Sequence, residues 1–149
     1  MTQTLVDSRV APTAVRYSAA LWFAAVGAGV VETVLGVLEH SPTLDEALAP
    51  VGIRVVVTAI LVPLILAFRQ GRGWARIALA LLLGVAGTLS LVVELISWLA
   101  EGNDPVALFA GTDTGFLVFA VVRALHIAAV FGALALMFTP NANGWFRRR

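Results

Sequence analysis

Residues 77–99 read IALALLLGVAGTLSLVVELISWL, twenty-three positions with a single ionisable side chain, Glu94. A run of roughly 18 or more apolar residues is long enough to cross a hydrocarbon core about 30 Å thick as a helix. Three further runs share this character: residues 17–38, 51–68 and 116–138. They are continuous rather than alternating, which excludes the two-residue period of an outer-membrane barrel. Backbone groups in lipid must find partners within their own segment, so each run is predicted to be helical. The chain has 149 residues, 60% of them hydrophobic and 13% charged. A water-soluble domain of that size would need far more polar surface. The expected fold is all-α: one domain over residues 1–149, a four-helix transmembrane bundle.

The arginines set the threading. Eight of the ten lie in three short segments: Arg9 and Arg16 in the N-terminal tail, Arg69, Arg72 and Arg76 between spans two and three, and Arg147, Arg148 and Arg149 at the end. The other two loops carry Glu39, Asp45, Glu46, Glu101, Asp104 and Asp113, and no arginine. Basic loops stay on the cytoplasmic side, so both termini are predicted inside and both acidic loops outside. The first run lacks a convincing cleavage pattern and reads as a retained span. In the acidic loops, Thr43-Leu-Asp-Glu46 has the form of a capping box. Asp104-Pro105 reads as an N-cap and first helical residue, with Gly111 to close the turn. Both are expected to start short interfacial helices. Trp22, Trp74, Trp98 and Trp145 fall toward span ends, where an indole favours the headgroup level. Pro63 is expected to kink span two.

Arg54 and Arg123 lie within spans, as do Glu32, Glu94 and His126. Counting inward at about 1.5 Å per residue places Glu32, Glu94 and Arg123 about 10–12 Å below the outer surface. Counted from Val51, Arg54 is shallower by a few ångström. An unpaired charge near the bilayer centre costs about 2.5–3.5 kcal/mol on the insertion scale. The expectation is an internal layer in which Arg54 and Arg123 neutralise Glu32 and Glu94, with His126 on the face of span four that carries Arg123. Gly84, Gly87, Ser90, Glu94 and Ser97 mark an inward polar face of span three. Such a layer can fix helix order and rotation. It can also line an outward-opening pocket or relay, with the acids exchanging protons or binding cations and His126 as a deeper station, or it can face a partner protein.

The chain has no cysteine and only His40 besides His126, which excludes thiolate chemistry, iron–sulfur ligation and pairs of bis-histidine haems. No catalytic residues, metal site or cofactor are expected. Ser90, Ser97 and His126 show no triad spacing. Three terminal arginines suit anionic lipid and are too few for nucleic acid.

Gly71-Arg72-Gly73-Trp74-Ala75-Arg76-Ile77 after span two, and Pro140-Asn141-Ala142-Asn143-Gly144-Trp145-Phe146 after span four, resemble the basic loop and the C-terminal ending of a group of small four-span actinobacterial membrane proteins. The resemblance implies a bacterial cytoplasmic-membrane location and brings no established activity. Physically, Trp74, Arg76, Trp98, Trp145 and Arg147 read as interfacial anchors.

Three functions compete. The first is a non-enzymatic accessory or scaffolding subunit, partnered by lipid and by other membrane subunits or copies of itself. The second is a small proton- or cation-coupled transporter using Glu32 and Glu94. The third is a lipid- or quinone-binding protein, with Trp98, Phe109, Phe116 and Phe119 near an apolar cleft.

Overall fold

The structure, a computed structural model, describes residues 10–40, 43–102, 104 and 114–147. Helices α1 (Thr13–His40), α2 (Leu44–Arg69), α3 (Gly73–Leu79), α4 (Thr88–Ala100), α5 (Thr114–Met137) and α6 (Pro140–Arg147) follow in order. A π-helical segment, Ala80–Gly87, joins α3 to α4, so the three form one rod. Four helices are long and apolar enough to cross a membrane. The chain is therefore a multi-pass membrane protein.

Thr43 caps α2 reciprocally: Glu46 N–H donates to Thr43 Oγ1, and Thr43 N–H donates to the Glu46 carboxylate, each at 3.4 Å. The box starts the spanning helix itself, not a separate interfacial helix, and α2 runs unbroken from Leu44 past Pro50 and Pro63. Each proline removes one amide donor, yet helical hydrogen bonding on either side carries the segment through. Pro105, Phe109 and Gly111 lie outside the described residues.

Between α2 and α3 the chain reverses through Gly71, whose φ is 85°. Gly71 N–H donates to the Phe68 carbonyl at 2.9 Å and Arg72 N–H to the Ala67 carbonyl at 3.2 Å, the paired bonds of a Schellman cap. This tight turn brings the basic loop against the end of the bundle.

Helix α1 is the hub, packing most extensively on α5 and next on α2. Its buried residues Val15, Ser18, Ala19, Trp22, Ala25 and Val26 recur every three to four positions, and Ala129, Val130, Ala133 and Met137 do the same on α5. The small residues let the two backbones approach. Ser18 Oγ–H donates to the Ala133 carbonyl across this contact at 2.8 Å. Trp22 is fully buried, 0% exposed, which corrects its expected interfacial place. It lies nine residues into α1, roughly 13 Å along the axis, on the stripe facing the small side chains of α5. Leu61, Leu64, Ile65 and Phe68 of α2 and Ala75, Leu79 and Leu83 of the rod complete the core. The core therefore gathers at the basic end. Toward the acidic end α4 makes no comparable packing against α1, α2 or α5 among the described residues.

Gly71→Ala is expected to lower stability by about 1–2 kcal/mol, the cost of a left-handed conformation for an L side chain. Gly27, with nothing within 4 Å of an added Cβ, serves as the control. Thermal unfolding in detergent should show the loss for the first substitution and none for Gly27→Ala.

Candidate intramembrane polar site

Three side chains from two helices meet midway along α1 and α5. Glu32, 6% exposed, accepts from His126 Nδ1 at 3.1 Å through one oxygen, and its other oxygen lies 3.7 Å from Arg123 Nη2. Arg123 also stands over the Phe119 ring, 4.8 Å from its centroid. His126 and Arg123 share a face because they are three residues apart, and Glu32 continues the α1 stripe that packs on α5. The donor in this contact follows the imidazole tautomer: an ionised carboxylate accepts from Nδ1–H.

Among the described residues Arg54 bonds to a hydroxyl of α1. Its Nε–H donates to Thr33 Oγ1 at 2.8 Å, and Thr33 Oγ1–H donates in turn to the Gly29 carbonyl at 2.9 Å. The guanidinium lies across Gly29: a Cβ there would fall 2.5 Å from Arg54 Nη1. Arg54 is ten residues from the start of α2, about 15 Å in, because the helix begins at Leu44 rather than Val51. It is thus level with Gly29 and Thr33 instead of shallower than the acids. Thr33 and Glu32 are about 100° apart around α1, so Arg54 approaches the helix about a quarter-turn from His126 and Arg123. The Glu94 and Trp98 side chains fall outside the described residues.

Thr33 and Gly29 went unnoticed as site residues. Their four-residue spacing beside Glu32 was the available signal, a small-x-x-x-small pair that admits a close neighbour.

A cavity of about 540 Å³ opens between α1, α2 and the π-helical segment. Ile53, Val57, Leu61, Leu82 and Leu83 give it apolar walls, while Arg54, Thr58, Ser90 and His126 contribute polar groups. Thr58 Oγ1 is buried and has no hydrogen-bond partner among the described residues. Ser90 Oγ–H donates to the Gly87 carbonyl at 2.7 Å. Of the expected polar face of span three, Gly87 and Ser90 line this cavity, whereas Gly84 receives Leu134 of α5, 3.1 Å from the place of a Cβ. Among the described residues no group of acids and histidines could hold a metal ion.

At the basic end the two sequence motifs meet. Arg76 Nη2 donates to Asn143 Oδ1, and its guanidinium stacks over Phe138 at 4.3 Å and Phe146 at 5.2 Å. Phe146 also meets Phe68, with ring centroids 5.3 Å apart. Arg76 is therefore a clamp fastening α6 under the bundle. Trp145 is half-buried against the core, while Trp74, 59% exposed, and Arg147 remain outward.

The chain matches no protein-family model, no curated protein and no solved structure.

Glu32→Gln removes the charge and one of the two acceptor oxygens that Arg123 and His126 use, and should destabilise the protein by about 1–3 kcal/mol, the cost of a lost charge-assisted contact. Unfolding in a mixed-detergent titration should register the loss. A variant as stable as the parent would show that the cluster contributes nothing to the fold.

Proposed function

We propose that this is a non-enzymatic protein of a bacterial cytoplasmic membrane that holds an apolar chain, acyl or isoprenoid, in the cleft between α2 and the π-helical segment. Both termini face the cytoplasm in this reading, supported by the arginine-rich segments at one end of the bundle and the acidic loops at the other. The resemblance of its two basic motifs to those of small four-span actinobacterial proteins agrees with that location.

The observation that carries the proposal is the 540 Å³ cavity. Its volume falls in the range of ligand pockets, and its lining follows their pattern of many apolar groups and a few polar ones. Arg54 is half-buried there, and among the described residues its polar contact is the Thr33 hydroxyl rather than a carboxylate. A polar or anionic head at Arg54, with the chain running along Val57 and Leu82, would use both features. Glu32 is already engaged by His126 and Arg123, which does not favour the transport alternative with that acid as a cation site.

An assembly role accompanies the binding role. Helix α4 leaves Ser90 and Ser97 exposed and has no extensive packing on another spanning helix among the described residues. Polar groups on a lipid-facing helix favour contact with a second helix, from another copy or another membrane subunit. The protein would then act as a ligand-holding accessory subunit. Nucleic acid plays no part in this reading.

Val57→Trp projects an indole into the cleft. Native mass spectrometry after gentle extraction should show a bound lipid-sized mass on the parent protein and its loss from the variant, with the helical content of both unchanged by circular dichroism. Equal retention by the two proteins would move the ligand elsewhere. A parent protein that never carries such a mass, but travels with a stoichiometric protein, would leave the assembly role alone.

A further inference from the structure

At the opposite end from the Arg54 cleft, the first turns of α1 and the last turn of α2 enclose a second pocket, of about 350 Å³. Thr13, Arg16, Tyr17, Ala20, Phe23 and Arg69 line it. We propose that this pocket binds the phosphate of an anionic phospholipid, with Arg16 and Arg69 as the cationic grip.

Two arginines from different helices converge on the pocket, and among the described residues neither forms an ion pair with a carboxylate. Like charges so placed repel, and the repulsion is relieved by an anion between them. A guanidinium presents parallel N–H donors that match phosphate oxygens in pairs. The Thr13 hydroxyl and the Tyr17 phenol line the same wall and can donate to oxygens that the arginines leave free.

The helical register of α1 distinguishes a lipid from a free anion. Thr13, Arg16, Tyr17, Ala20 and Phe23 recur at three-and-four spacing, so they lie on one stripe of the helix. The stripe passes from polar to apolar over ten residues, roughly 15 Å along the axis. A phosphate at Arg16 would therefore have its acyl chains running past Ala20 to Phe23. Free phosphate would leave that apolar half unused. Basic pockets between spanning helices at the membrane surface have this chemistry, and each arginine near an anionic surface adds roughly a factor of five in affinity. The site shares no lining residue with the Arg54 cleft, so failure of one leaves the other standing.

The test uses the full chain in nanodiscs of phosphatidylcholine with and without phosphatidylglycerol. Retention of phosphatidylglycerol is read by native mass spectrometry for the parent, for R16Q/R69Q and for R72Q/R147Q, which removes equal charge outside the pocket. About twenty-five-fold weaker retention is expected for R16Q/R69Q, from two factors of roughly five, with R72Q/R147Q close to the parent. Equal losses in both double variants would mean general surface attraction and would overturn the site. So would unchanged retention in R16Q/R69Q. Inorganic phosphate forms a separate arm: if it stabilises the parent against heat as well as the lipid does, the lipid assignment fails. Should R16Q/R69Q not fold, a phosphatidylglycerol with a photoreactive headgroup, applied to the parent, must cross-link within residues 13–23 or to Arg69. Cross-links confined elsewhere contradict the proposal.

Discussion

A carboxylate placed among apolar helices must be neutralised where it stands, and Glu32 is neutralised by α5. His126 and Arg123 take one oxygen each, which joins the middle of α1 to the middle of α5 through charge-assisted contacts. Closer to the basic end the same two helices close through small residues and the Ser18–Ala133 hydrogen bond. Fixing α1 on α5 in this rotation also decides what α1 offers α2. The stripe of Gly29 and Thr33 lies about a quarter-turn around the helix from Glu32 and receives Arg54. The cleft follows from that geometry, because Arg54 is held against α1 while α4 remains away from α2.

Packing is concentrated at one end of the molecule. Phe68, Leu79, Met137 and Ala142 are buried where the basic loop and α6 meet, and Arg76 ties α6 in place through Asn143 and two phenylalanine rings. Among the described residues the acidic end packs less extensively, and the π-helical segment lies where the rod leaves the core. Such five-residue hydrogen-bonding segments recur at functional sites. Here it supplies Leu82, Leu83 and Gly87 to the cavity wall.

The four spans were legible in the sequence because hydropathy and length suffice for helices in lipid. The capping box at Thr43 was legible too, since its two hydrogen bonds are local. Its consequence was not: reading a break before Val51 placed Arg54 too shallow, because α2 begins at Leu44. Counting residues along a helix gives depth but not azimuth, so the common level of Glu32 and Arg54 said nothing about Arg54 meeting Thr33 instead of Glu32. Trp22 was misplaced for a related reason, because an indole favours the interface only when no small-residue surface waits to bury it. The Arg76–Asn143 contact joins residues 67 apart in sequence, and neither motif alone names the other as its partner.

The joining of α1 to α5 through Glu32 can be read directly by solid-state NMR of the protein in bilayers. With ¹³C-labelled glutamate and ¹⁵N-labelled histidine, and with His40 replaced to leave a single imidazole, a dipolar contact should link the Glu32 carboxyl carbon to a protonated His126 Nδ1. An imidazole with no carboxyl carbon near it would contradict the account at its centre.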